Sequence, residues 1–388
     1  MKKNILFVGH DASRTGAPIV LGHLMRWLKY NGETEITVLL KKGGEMESDL
    51  SGLWPVWIWQ PGEMRTDLAG KVLAKLNYKV FGKPLYQPYP GGLKNKKFDL
   101  VYLNTVATTN MLPELKKQYN CPVILHVHEN EYVVKAHYAE NLNNNLLKLV
   151  DHYIAVSEST RENLVDNFAI DKAKISLVND FIPVKNIAPV KISAEQIRVS
   201  LGITNEFLVG ASGAARWRKG ADIFVQLAAI VSGQLKGKVK FVWVGETEHL
   251  FKCQLEYELK RTGLADEDII FTGQVNNPLD YFRLFDVFVL PSREDPFPLV
   301  CLEAASVGKP LICFDKAGGM PEFLKGGGGI IVPYGDVPAM ASAVTALYND
   351  RDRLKALSIE AKDNVQQYDV DIKAPEILKV IDSLVAKK

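Results

Sequence analysis

Pro291-Ser-Arg-Glu-Asp-Pro-Phe-Pro-Leu-Val-Cys-Leu-Glu-Ala-Ala-Ser-Val-Gly-Lys-Pro310 carries Asp295 and Glu303 across a strand-to-helix turn, with seven residues between them. The apolar run Val287 to Leu290 before it reads as a buried strand, and Leu299 to Val307 reads as a helix opening near Pro298. Free N–H groups at a helix start favour an anion. A carboxylate on the loop and a second one turn into the helix can hold sugar hydroxyls while the helix start faces phosphate. The spacing therefore predicts a site for a nucleotide-activated sugar. Solvated acids on a surface loop are the plain alternative, and Glu294 offers the same role in a neighbouring register.

Outward from this stretch, short apolar runs alternate with helical patterns, which predicts α/β architecture with parallel sheets covered by helices. Strands are expected at Asn4 to Val8, Ile36 to Leu40, Val56 to Trp59, Leu100 to Leu103, Val123 to Val127, Tyr153 to Val156 and Ile175 to Val178. A second series is expected at Phe207 to Gly210, Val239 to Val244, Ile269 to Thr272, Val287 to Leu290, Leu311 to Phe314 and Ile330 to Val332. Asp180 to Pro189, with two prolines, breaks the rhythm. With 388 residues, more than one core usually holds, two domains are expected: 1–190 and 191–365, with a terminal helix over 366–388. The stretch from Arg351 to Ala386 is helical in pattern throughout.

A net charge of +2 fits a soluble globular protein and argues against nucleic acid as a partner. Cys121, Cys253, Cys301 and Cys313 have no Cys-x-x-Cys spacing and read as reduced residues of a cytoplasmic protein. The start of the chain is too short in apolar residues for a secretory signal, and no run is long enough to cross a membrane.

Ligands of open parallel sheets bind beyond the carboxyl ends of the strands, so the loops there are the candidates. Gly9-His-Asp-Ala-Ser-Arg-Thr-Gly16 follows the first strand and is not a G-x-G-x-x-G fingerprint, so a dehydrogenase is not supported. Val209-Gly-Ala-Ser-Gly-Ala-Ala-Arg-Trp-Arg-Lys-Gly220 joins small residues, which let backbone come close, to cations suited to a diphosphate. At about 4 Å each cation gives roughly 4 kcal/mol of gross Coulomb energy at an effective dielectric near 20. His126 and His128 fall on one face of a strand end beside Glu129. Metal ligation by these three competes with hydrogen bonding to a sugar.

These motifs together resemble the retaining glycosyltransferases of family 4, which have the GT-B fold of two facing Rossmann-like domains. The quoted stretch is similar to that family's acid, seven residues, Glu signature; Lys219-Gly220 match the end of its Gly-Arg…Lys-Gly motif; His128-Glu129 resemble its His-acid pair; and Gly318-Gly-Met-Pro-Glu322 is similar to its glycine loop. This chain departs by having Asp295 for Glu, Pro298 for Gly and Ala214 for the usual Arg. The resemblance implies catalytic roles for His128, Asp295 and Lys219. It implies donor contacts from Gly16, Ser212, Arg216, Arg218, Gly245, Gln274, Val275, Phe297, Leu299, Val300 and Glu303, with Asn179 near the hinge. No metal or other cofactor is implied, the nucleoside diphosphate sugar being a substrate. A saccharide or lipid-linked hydroxyl acceptor is implied, and the terminal helix crosses back to the first domain in this family.

Between Arg65 and Lys97 eight cations face one acid, Asp67, and Lys71, Lys75 and Lys79 form a helical stripe. Such a stripe suits either an anionic membrane surface or solvent, each surface cation contributing about 1 kcal/mol at a membrane. Peripheral association with the inner face of a membrane is thus an expectation beside the cytoplasmic one. The rival readings are a sugar phosphorylase or epimerase on the same scaffold, and a nucleotide-sugar-binding module without turnover.

Overall fold

A computed structural model describes residues 2–63, 86–137, 144–265 and 267–386. The strands are β1 (Lys3–Gly9), β2 (Thr34–Leu40), β3 (Val56–Ile58), β4 (Leu100–Asn104), β5 (Val123–Val127), β6 (His152–Ala155), β7 (Ile175–Leu177), β8 (Phe207–Ser212), β9 (Val239–Val244), β10 (Ile269–Phe271), β11 (Val287–Leu290), β12 (Leu311–Phe314) and β13 (Gly329–Val332). They form a seven-stranded sheet ordered β3-β2-β1-β4-β5-β6-β7 and a six-stranded sheet ordered β10-β9-β8-β11-β12-β13. Every pairing is parallel. Central strands such as β5 and β11 are buried at every position, which is why they read as unbroken apolar runs.

The chain divides into two compact units: residues 1–155, 163–178 and 374–388 form one, and 156–162 with 179–373 the other. This differs from cuts at 190 and 365. The reason lies in Asp369, buried at 1% exposure, whose Oδ2 accepts the N–H of Lys185 (3.1 Å), while the N–H of Val370 donates to the Ile182 carbonyl (3.0 Å). Arg283 adds a hydrogen bond to the Ala188 carbonyl (2.7 Å), so the proline-bearing linker is fastened to the second unit. The first unit is completed by the last helix, Val370–Val385, which buries Ala374, Ile377 and Ile381 and places Asp382 2.6 Å from Lys3. The C-terminal stretch is not one helix. Arg351–Asn364 gives way to a 3-10 turn, Val365–Tyr368, before the last helix begins.

In each sheet the order reverses beside the first strand, between β1 and β4 and between β8 and β11. Diverging connections leave a crevice at such a switch point, beyond the carboxyl ends of the strands. The loops following β1, β4, β5, β8 and β11 carry the residues considered next. Among the described residues no helix is long and apolar enough to cross a membrane. Arg65, Lys71, Lys75, Lys79 and Lys83 lie outside the described residues; Lys96 stands over the Trp57 ring at 4.7 Å.

Candidate active site

In the second unit the chain leaves β8 through Gly213, makes a 3-10 turn at Trp217–Lys219 and enters the helix Ala221–Gln234 at Gly220. Gly220 has φ 73°, and a Cβ there would strike the Pro291 carbonyl, so the loop after β8 lies flat on the loop after β11. The two loops are stitched together. The Arg293 N–H donates to the Arg218 carbonyl (2.8 Å), and Arg218 Nη1 donates to the Glu294 carbonyl (2.6 Å). Arg293 Nη1 reaches the Trp217 carbonyl (2.6 Å), and its guanidinium lies 4.7 Å over the Trp217 ring. That guanidinium also grips both oxygens of Asp222 at 2.9 and 2.7 Å, the fork geometry that suits a carboxylate.

This stitching brings Lys219 into an ion pair with Asp295. Arg218 Nη1 stands 3.6 Å from the same carboxylate, and the Ser292 hydroxyl donates to it at 3.3 Å. Asp295 is 4% exposed. Burial alone would push its carboxyl upward, but Lys219 and Arg218 outweigh that and hold it below the usual carboxylate range. Burial depresses the Lys219 ammonium, against the pull of Asp295. Gly318, at φ 140°, lies so close over the Asp295 carbonyl that any side chain there would collide, and the Asp295 N–H donates to Ala317 (2.6 Å). Asp295 is thus held from three sides.

Glu303 sits one turn into the helix Leu299–Ser306, and its carboxylate has no partner among the described residues. Burial raises its pKa to about 7. Burial pushes the Cys301 thiol well up, with Asp295 and Glu303 adding to the shift and Lys219 opposing it. At the start of the same helix the N–H groups of Leu299 and Val300 are free of backbone partners, while Phe297 stacks on Tyr368 with centroids 5.5 Å apart. Ser212 is buried and donates to the Val244 carbonyl (2.9 Å). Gly245 donates to Gly273 (3.1 Å) at the next strand end, followed by exposed Gln274 and half-buried Val275. Arg216 is apart from this group: it pairs with Glu248 at 3.5 Å and is mostly exposed. Glu322 accepts the Glu158 N–H (2.6 Å), capping the helix Glu158–Phe168.

In the first unit, His128 Nε2 is 3.0 Å from Asn104 Oδ1, and its ring lies 4.1 Å from that of His126. His126 is buried, with Nδ1 2.7 Å from the Tyr102 hydroxyl, and burial drives its pKa well below the usual value. Glu129 Oε2 accepts the N–H groups of Val106 (3.2 Å) and His128 (3.0 Å), and burial raises its pKa against these donors. Thr105 has φ 79° and ψ 152°, a region that only glycine enters freely, at a cost on the order of 1–3 kcal/mol. Its Oγ1 stands 3.3 Å from His10 Nδ1. Gly16 is the first residue of the helix Gly16–Asn31, and an added Cβ would meet nothing within 4 Å.

His10, Thr105, Asn104, Asp222, Ser292 and Arg293 belong to these clusters without having been singled out from sequence. Arg293 and Asp222 flank motif residues, but they are 71 positions apart and only the fold pairs them; the strain at Thr105 has no sequence signature.

Two family models match the chain, Glycosyltransferase Family 4 over residues 68–185 and Glycosyl transferases group 1 over residues 206–350. Over 192 residues the chain is 33% identical to the lipopolysaccharide core biosynthesis mannosyltransferase LpsB of Rhizobium meliloti, covering 45% of this chain and 51% of that protein. Over 243 residues it is 26% identical to the N,N'-diacetylbacillosaminyl-diphospho-undecaprenol alpha-1,3-N-acetylgalactosaminyltransferase of Campylobacter jejuni, covering 61% and 62%. The chain spans about half the length of the first of these relatives. The crystal structure of Anabaena HepE in complex with UDP and glucose superposes with TM-score 0.78 at 21% identity, covering 98% of this chain and 100% of that one. The sucrose-phosphate synthase of Thermosynechococcus elongatus gives 0.74 at 20% identity with full coverage of both. These structural likenesses establish the fold as that of the GT-B glycosyltransferases.

Proposed function

Because the chain belongs to the glycosyltransferases of group 1 and family 4, we propose that it transfers a hexose from a nucleoside diphosphate sugar to a hydroxyl acceptor, with retention at the anomeric carbon. The observation that carries this reading is the meeting of Lys219, Arg218 and Asp295 at the carboxyl ends of β8 and β11. A departing diphosphate gains negative charge as the glycosidic bond breaks, and fixed cations stabilise that charge more than the ground state. Lys219 and Arg218 supply them, and the free N–H groups of Leu299 and Val300 add the positive end of a helix. Asp295 takes sugar hydroxyls and Glu303 the ribose. His128 hydrogen-bonds the donor sugar on its acceptor side.

No carboxylate is assigned as a nucleophile, so attack occurs on the same face as departure, assisted by the leaving phosphate. With two cations to neutralise the diphosphate the reading calls for no metal, and the rate should be unchanged in EDTA. The acceptor is a saccharide or lipid-linked hydroxyl in polysaccharide or glycolipid assembly, by analogy with the relatives named above. Peripheral attachment to the inner face of a membrane goes with such an acceptor; flotation with anionic vesicles at low salt tests it, and a protein that stays at the bottom of the gradient removes it.

Lys219→Ala and Glu303→Ala should each lower transfer by orders of magnitude while circular dichroism still shows a folded protein, although Lys219→Ala, which leaves buried Asp295 without its main cation, should melt lower than wild type. Full activity in both variants would refute the assignment. Binding of a nucleotide sugar with no hydrolysis or transfer that depends on Lys219 would point instead to a binding module, the reading that Asp295, Ala214 and Pro298 favour by departing from the family pattern.

A further inference from the structure

Where the order of the first sheet reverses, a cation lies over the strand ends that the donor chemistry leaves unused. Lys41 follows β2, and its N–H donates to the Gly9 carbonyl (3.0 Å), as the Lys42 N–H does to that of His10 (3.1 Å). The ladder of β2 on β1 thus runs on past both strands. Gly44 then passes so close to the Ala12 backbone that an added Cβ would collide with it, and the Met46 N–H closes on the Ala12 carbonyl (2.8 Å). From this fixed base the Lys41 side chain carries Nζ to the Ala107 carbonyl (2.7 Å), in the 3-10 turn Val106–Met111 that follows β4. Because β1 stands between β2 and β4, the ammonium spans the end of β1, at the mouth of the switch-point crevice.

An ammonium has three N–H donors, and the Ala107 carbonyl takes one. Among the described residues no carboxylate comes within ion-pair distance of it. Asp11 is engaged by the Ser13 N–H (3.0 Å) and hydroxyl (2.8 Å), and exposed Glu63 acts on Lys41 only from farther off. Burial lowers the Lys41 pKa, with Glu63 opposing it. Both Lys41 and His128 act on the His10 ring, so Lys41 lies on the side of the crevice that the transfer reading gives to the acceptor. Tying a loop to a carbonyl needs no charge, since an amide would do it. A partly buried cation without a counter-charge costs stability until an anion joins it. The donor diphosphate already has Lys219 and Arg218 in that reading, so the anion missing here belongs to the other substrate.

We propose that Lys41 binds an anionic group, phosphate or carboxylate, carried by the acceptor sugar, and so makes the protein selective for charged acceptors. This rests on the glycosyl-transfer reading. The two remaining N–H groups of the ammonium hold the anion, and the loops after β1 and β4 keep the ammonium in place for it.

The test has two arms, both on the full chain. In the first, acetic anhydride labels the lysines of wild type without donor, and peptide mass spectrometry reads the rate at Lys41 beside a methyl hexoside or the same sugar bearing a phosphate or a carboxylate. A charged sugar should slow labelling of Lys41 severalfold and the neutral one should not; no slowing by either anion overturns the proposal. In the second, nucleotide release from UDP-, GDP- and ADP-linked hexoses gives kcat/KM for each of these acceptors. Wild type should favour a charged acceptor over its neutral counterpart by about tenfold or more, the effect of a hydrogen bond to a charged group. The series with the larger ratio, phosphate or carboxylate, identifies the group. That ratio should fall close to one in Lys41→Gln and keep most of its size in Lys41→Arg. A ratio near one in wild type, or one unchanged in Lys41→Gln, would leave Lys41 a tether between loops and overturn the proposal. So would a Lys41→Gln protein whose melting temperature no longer rises with the nucleoside diphosphate, since Lys41 would then be a donor contact. A wild type that turns over none of the donors overturns the transfer reading, whereas the labelling arm needs no turnover and still decides whether an anion sits on Lys41.

Discussion

Glu303 carries a carboxyl with no cation paired to it among the described residues, and burial raises its pKa to about 7. In the unfolded chain it titrates near 4.5, so between these values the folded state binds more protons, and stability falls as pH rises through that window. Glu303→Gln should therefore unfold at the same urea concentration as wild type at pH 4 and at a higher one at pH 8; equal midpoints at pH 8 would show a solvated carboxylate. The thiols make a second residue-scale case. Cys121, Cys301 and Cys313 are buried and Cys253 is exposed, with burial pushing Cys313 up to about 12. Ellman's reagent should titrate one thiol quickly in the native protein and four in denaturant. At this scale the sequence showed charge but not geometry. Arg216, Arg218 and Lys219 are three cations in four residues, and only the fold separates Arg216, paired with Glu248, from the two that reach Asp295. Thr105 was illegible because a dihedral angle is not written in a residue type.

Elements are where the pattern of residues spoke most directly. Parallel strands buried on both faces must be apolar at nearly every position, so short runs such as Val287–Leu290 could be read to within a residue. The interruption at Val365–Tyr368 was hidden, because Val365 is buried like any helical core residue and the turn is specified by contacts such as Tyr368 on Phe297 and Phe323. The loop after β8 is an element held by its neighbour, and Arg293 supplies most of the hold. Arg293→Lys keeps the charge but loses the fork on Asp222 and the reach to the Trp217 carbonyl. Nucleoside diphosphate affinity should fall by about tenfold, the worth of a charge-assisted hydrogen bond, while the melting temperature changes little. An unchanged affinity by calorimetry would mean that Lys219 and Arg218 keep their places without it.

For the whole molecule, two sheets were legible from two series of strands, but the division between units was not. Composition changes near residue 190, whereas Asp369 draws the stretch before it onto the second unit through a hydrogen bond to Lys185, 184 positions away. The last helix belongs to the first unit from Ala374 onward. A chain ending at Lys373 should leave the second unit intact and the first loosened, seen as faster proteolysis within residues 2–63; equal cleavage rates would assign the tail no structural part. The same layout bears on biogenesis. Every residue of the second unit is synthesised before the closing piece of the first, so the half of the protein translated earliest is the one that must wait longest to become whole. Chaperone dependence should accordingly concentrate on the amino-terminal sheet.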